Sequence, residues 1–113
     1  MSNRDYKNYA RDILEHIEDI EEFIENINYD EFIKNKEKIT AVVGKIIFIG
    51  EAVDHLPDEV LEKYPDMAWN EVVAMRNRLV HGYFDIDYRI IWEVVNADIP
   101  RLKKTVEQLL DLP

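Results

Sequence analysis

The sequence predicts an all-α protein, an up-down bundle of four main helices plus one short helix. Two observations carry this. Apolar residues recur at steps of three and four along most of the chain, and no segment shows the apolar-polar alternation of a half-buried strand. A third sets the organisation: no internal repeat, low-complexity tract or linker interrupts the 113 residues, so residues 1–113 read as one domain.

The first helix is marked by Tyr6, Ala10, Ile13, Ile17, Ile20, Ile24 and Ile27, with Leu14 and Phe23 flanking. This is a seam of about six turns with coiled-coil-like spacing. Asn28-Tyr29-Asp30 breaks it, and Asn28 or Asp30 is the expected cap of the next helix. That second helical region is expected over Glu31–His55, with Phe32, Ile39, Val42, Val43, Ile46, Ile49 and Val53 as its stripe. Ile47 and Phe48 widen that stripe, so this helix is expected to touch neighbours on two sides. Gly44 and Gly50 each cost about 1 kcal/mol in a helix interior, which points to a bend or to close approach of another helix.

Pro57, as a first helical residue, begins a short helix that ends near Tyr64-Pro65. Asp66 or Met67 opens the next, which carries Trp69 to His81 and stops at Gly82. Asp85 or Asp87 caps the last helix, with stripe Tyr88, Ile91, Val95, Leu102, Val106 and Leu109. Pro100 falls inside this pattern and should kink it, because it lacks an N–H and crowds the preceding turn.

Composition narrows the function. There is no cysteine, which excludes a disulfide framework and a thiolate metal site. No stretch is apolar enough to span a membrane, and Met1 to Tyr9 is polar, so a cytoplasmic protein is expected. A single modest core leaves little room for a deep pocket within one chain, which favours function at a subunit interface. The net charge of −10 opposes nucleic-acid binding. Asp12 to Glu31, however, contributes nine acidic residues and no Lys or Arg, leaving −1 for the rest of the chain. Lys34, Lys36, Lys38 and Lys45 then face only Glu37. The acidic helix is either a solvated face or a dock for a basic partner.

The informative segment is Met75-Arg76-Asn77-Arg78-Leu79-Val80-His81-Gly82-Tyr83. On a helical wheel, Val72, Val73, Leu79 and Val80 fall within about 80° of Trp69. Arg76 lies about 20° from Trp69, in the middle of the apolar stripe, whereas Arg78 lies opposite. Asn77 and His81 share the flank, one turn apart. An arginine cannot shed its charge, so burying it is costly unless it is paired. It either snorkels to water, pairs with a carboxylate such as Glu51, fixes a dimer register, or awaits an anionic ligand in a cleft between subunits. His81 titrates near neutrality and suits proton transfer. Together with a guanidinium that stabilises phosphate charge, and Asn77 in support, it could cleave RNA without metal. One histidine per helix means that separate acid and base would need a second subunit.

The surroundings of this segment are distinctive. Ile49-Gly50-Glu51-Ala52, Tyr64-Pro65-Asp66-Met67-Ala68-Trp69, Arg76 to Tyr83, Ile91-Trp92 and Ile99-Pro100-Arg101-Leu102 resemble the HepT family of HEPN-like proteins in order and spacing. The resemblance covers nearly the whole chain, and the family motif (Arg, four residues, His, any residue, Tyr) reads here as Arg76, His81 and Tyr83. The resemblance implies an all-α homodimer whose motif residues meet in a cleft at the dimer interface. It implies a metal-independent ribonuclease toxin with Arg76 and His81 as catalytic pair and no cofactor. It further implies a partner encoded alongside, a minimal nucleotidyltransferase antitoxin (MntA), which transfers AMP from ATP to the tyrosine matching Tyr83. Bulky anionic groups there would repel RNA from the phosphate site. The Lys34–Lys45 run departs from the family, which often has a polar or acidic residue ahead of the second stripe.

The remaining candidates read as structural. Trp69 and Trp92 suit packing, with base stacking the alternative, and His16 and His55 suit the surface or its boundary. Glu51 and His55 are four apart, but no further ligand motif accompanies them, so no metal site is expected. Two other functions stay open. One is a non-catalytic dimeric binding subunit of a nucleotidyltransferase complex, which would give the acidic helix a purpose. The other is a structural bundle in which Arg76 makes only an ion pair.

Overall fold

The computed structural model describes residues 5–82 and 86–113. Helix α1, Tyr6–Phe23, buries Tyr6, Ala10, Ile13, Ile17 and Ile20, the expected seam. It ends about a turn earlier than the periodicity suggests. Asn26 takes a left-handed φ of 60°, a conformation that asparagine tolerates better than most residues. Ile24 and Ile27 nevertheless still pack on the core. The end is closed by Lys38, whose Nζ donates to the Phe23 carbonyl at 3.0 Å.

Helix α2, Tyr29–Ile33, starts on a reciprocal cap. The Glu31 N–H donates to Asn28 Oδ1 at 2.9 Å, and the Asn28 N–H donates to Glu31 Oε1 at 3.1 Å. Helix α3, Lys36–Asp54, starts on Asn35, whose Oδ1 accepts from the Lys38 N–H at 3.0 Å. The single helix expected over Glu31–His55 is therefore two. Phe32 and Ile39 lie seven residues apart on one face, so the stripe runs through the break and hides it. The bundle thus carries two short helices, α2 and α4 (Asp58–Leu61), where the sequence suggested one. Pro57 precedes α4 in extended conformation instead of opening it.

Helix α5, Trp69–His81, begins without a side-chain cap and ends at Gly82, whose N–H donates to the Arg78 carbonyl at 2.8 Å. Gly82 has φ −141°, so it stops the helix without the left-handed turn that a C-terminal glycine commonly supplies. Helix α6, Tyr88–Glu93, is capped by Asp87 Oδ1, which accepts from the Arg89 N–H at 2.8 Å. A π-helical turn, Val94–Asp98, joins it to α7, Ile99–Leu110, and Pro100 lies in the first turn of α7. The kink expected at Pro100 takes this form. A widened turn gives space to a ring that would crowd the carbonyl four residues back.

The long columns are α1, α3, α5 and the α6–α7 pair, with no strand among the described residues. Helix α3 is the middle element, packed on α1 on one side and α5 on the other, and α7 closes on α1. Ile13, Ile17, Ile20, Phe32, Val42, Ile49, Ile91, Val106 and Leu109 are fully buried. Each such side chain contributes roughly 1.5–3 kcal/mol. The acidic face of α1 is partly neutralised inside the chain: Asp19 pairs with Lys45 at 2.7 Å and Glu21 with Lys103 at 2.9 Å. No described helix is long and apolar enough to cross a membrane.

Candidate active site

Helix α5 has its main contact with α3 and buries only Trp69 and Leu79 completely. Val72, Val73 and Met75 are half-buried. Val80, expected in the buried stripe, is 46% exposed, as is Tyr88 at 47%. The wheel correctly puts Arg76 on the packed face and Arg78 in solvent. What it cannot supply is the surface that α3 offers at that point.

That surface is Gly50. A methyl group there would lie 2.3 Å from Arg76 Cβ and 2.9 Å from Cγ, so the arginine stem occupies the space a side chain would need. This bears out close helix approach at Gly50; at Gly44 a methyl would meet nothing within 4 Å.

The stem is thereby laid along α3, and the guanidinium meets two carboxylates on that helix. Nη1 donates to Glu51 and Nη2 donates to Asp54 Oδ2 at 3.3 Å. Nε donates to Asn77 Oδ1, on α5 itself, at 2.7 Å. Every nitrogen of the guanidinium thus has a partner, and two of its five N–H groups remain unassigned by these bonds. The Arg76 side chain is 12% exposed, whereas Glu51 and Asp54 are 52% and 54% exposed. Of the alternatives open from sequence, pairing with Glu51 is the one realised within a single chain. The pair lies at the surface, where either carboxylate can turn into water and vacate a position on the guanidinium. Asp54 was not anticipated; its only sequence signal is its position three residues after Glu51, one turn along the same helix.

His81 is exposed at the end of α5, and its side chain makes no hydrogen bond among the described residues. Asn77 is exposed one turn before it and accepts from Arg76 Nε with its amide oxygen. Tyr83 lies outside the described residues. Next to Asp54 and Asn77 is a cavity of about 260 Å3 between the end of α3, α4 and α5, which sequence reasoning missed altogether.

Of the other candidates, Trp69 is buried and Trp92 half-buried in the bundle, whereas His16 is half-buried and His55 exposed, at the boundary and surface expected of them. Trp69 Nε1 donates to the Leu61 carbonyl at 3.2 Å. Trp92 lies against Phe32 and Tyr29, with ring centroids 5.1 and 6.2 Å away. His55 stacks on Tyr9 at 5.0 Å and turns Nδ1 to the Glu51 carbonyl at 2.8 Å. His16 packs on Phe48 with Lys45 Nζ 3.3 Å from its Nδ1. Burial first, and then the Lys45 ammonium, hold its pKa below the ordinary 6.5.

With this geometry in hand, comparison with known proteins is specific. A family model described as "Ribonuclease HepT-like" matches residues 13–109. A Methanocaldococcus jannaschii protein named "Putative RNase MJ1380" is 45% identical over 107 residues, covering 95% of this chain and 98% of that one. A second from the same organism, "Putative RNase MJ1216", is 43% identical over 97% of this chain and 91% of its own. A Thermococcus cleftensis protein named "Probable ribonuclease HepT" is 40% identical over 94% of this chain and 96% of its own. No solved structure matches the chain.

Proposed function

Because this chain belongs to the HepT-like ribonuclease family, we propose that it cleaves RNA without a metal ion, using Arg76 and His81 as catalytic residues. The observation that carries the proposal is an arginine drawn onto the packed face of α5 whose two ion-pair partners are half-exposed carboxylates, with an exposed imidazole five residues on in the same helix. In the reaction, the ribose 2′-oxygen forms a bond to phosphorus as the bond to the 5′-oxygen breaks. A neutral imidazole takes the 2′-hydroxyl proton, and an imidazolium supplies one to the departing 5′-oxygen. The guanidinium, swung off Glu51 or Asp54, stabilises charge on the phosphate oxygens. Asn77 keeps Arg76 aligned with the imidazole.

One His81 cannot be acid and base at once, so the proposed unit is a homodimer with its cleft between two α5 helices. Support comes from the apolar surface one chain leaves uncovered around α5: half-buried Val72, Val73 and Met75 beside exposed Val80. The wider proposal is a toxin neutralised by an MntA-like nucleotidyltransferase that transfers AMP to Tyr83. Phosphates added two residues from His81 would compete for the same guanidinium.

The deciding experiment incubates the purified chain with RNA in EDTA. Cleavage by the parent and its loss in His81→Ala are expected; equal cleavage by both would remove His81 from the mechanism. A second reading, a non-catalytic binding subunit of a nucleotidyltransferase complex, is favoured by the full set of partners around Arg76. It predicts a stable complex with that enzyme and no cleavage by the parent.

A further inference from the structure

We infer that the cavity bounded by Asp54, Asp58, Asn70, Asn77, Trp69 and Val73 is a nucleobase subsite that selects guanine in the nucleotide bound beside Arg76. The inference rests on the ribonuclease reading of Arg76.

Size and lining come first. At about 260 Å3 the cavity falls just below the range that takes drug-sized ligands, and suits a fragment the size of one base. Its apolar lining includes buried Trp69 and half-buried Val73. The Trp69 indole N–H is already spent on the Leu61 carbonyl, so this ring offers a surface and no donor. The polar side chains of the lining are on exposed residues: Asp54, Asp58, Asn70 and Asn77. A flat, largely apolar ring with a polar edge fits such a lining.

Two of the walls are also ligands of Arg76. Asp54 gives Oδ2 to Nη2 and Asn77 gives Oδ1 to Nε. Cavity and guanidinium therefore share a boundary, and a nucleotide can place its phosphate on one side and its base on the other. Asp54 has a second oxygen and Asn77 its amide N–H groups outside these two bonds.

The edge chemistry selects the base. Two carboxylates offer acceptors only, and two amides offer donors as well. Guanine presents adjacent N1–H and N2–H donors, which one carboxylate accepts in parallel, followed by the O6 acceptor, which an amide N–H can meet. Adenine and cytosine place a ring-nitrogen acceptor beside their amino group, where a carboxylate is repelled. Uracil flanks its one N–H with carbonyls. The acidic rim that would repel a phosphate thus suits a neutral base with a donor edge, and the phosphate goes to the arginine instead.

The test titrates the full ¹⁵N-labelled chain with GMP, IMP, AMP, CMP, UMP and inorganic phosphate, monitoring the Trp69 indole and the Asn70 and Asn77 side-chain amides. GMP is expected to shift these signals at millimolar concentration. IMP, which lacks the 2-amino group, should bind about tenfold more weakly, as expected for one lost charge-assisted hydrogen bond. In Asp58→Asn the GMP affinity should fall toward that of AMP, with the parent's own nucleotide ranking as a control independent of the variant's folding. Equal shifts of the Trp69 and Asn70 signals from all four natural nucleotides, shifts of those two signals with phosphate alone, or none with GMP would overturn the subsite. Selective GMP binding by a chain that cuts no RNA would uphold the subsite and defeat the nuclease reading. Cleavage without GMP selectivity would do the reverse.

Discussion

Gly50 on α3 and the stem of Arg76 on α5 fill one another's space, with the position of a Gly50 methyl only 2.3 Å from Arg76 Cβ. The close approach lays the arginine along α3 and delivers its guanidinium to Glu51 and Asp54. Removing the vacancy should therefore affect stability and chemistry together.

Gly50→Ala is expected to destabilise the protein by about 1–3 kcal/mol, the usual cost of overpacking a contact whose neighbours cannot give way. Helix propensity would favour alanine by about 1 kcal/mol, so the steric term must win for the sign to hold. Urea unfolding measures this. A variant as stable as the parent would mean that α5 moves off α3 at little cost.

Glu51→Gln removes a competitor for phosphate while retaining an amide oxygen to hold Arg76. The expected result is a KM for RNA lower by up to about tenfold, since hydrogen bonds to charged groups are worth roughly 1.5–3 kcal/mol and this one is half in water. Steady-state cleavage of a short RNA reports it. A raised KM would show that Glu51 presents the guanidinium and does not compete for it.

Asn35→Ala should cost about 1 kcal/mol by leaving the Lys38 N–H at the start of α3 without its side-chain acceptor. Thermal unfolding would show a fall of several degrees for a domain of this size. No change in melting would mean that water replaces the cap at no cost.

His16 carries a pKa lowered by burial and by Lys45, so the folded state binds its proton less readily than the unfolded chain does. Stability associated with the neutral ring is present above 6.5 and is lost as pH falls through the depressed folded value. His16→Gln should flatten that part of the stability–pH curve. An unchanged slope below pH 6.5 would assign the dependence to other groups.

Co-expression with an MntA-like nucleotidyltransferase should add whole multiples of AMP to the intact mass of the chain, and Tyr83→Phe should abolish the addition. The unmodified parent and Tyr83→Phe should cut RNA alike until the enzyme and ATP are supplied. Adducts that persist in Tyr83→Phe would move the modification elsewhere.

The amino-acid order alone determined the helices, their polarity pattern and the anomaly at Arg76, because a helix is built from contacts within four residues and its faces are set by a fixed rotation per residue. It also narrowed the α2 cap to Asn28 or Asp30, of which Asn28 is the one used, and carried the disturbance at Pro100. It concealed the α2–α3 break, where Phe32 and Ile39 keep phase across Asn35. Tertiary structure decided what the guanidinium meets, since Glu51 and Asp54 stand 25 and 22 residues away and reach it only through the register of α3 against α5. It also decided that Val80 and Tyr88, apolar in phase, stay uncovered, and that a cavity opens beside Asn77. Periodicity says which way a side chain points, and only the packing of a second helix says what stands there.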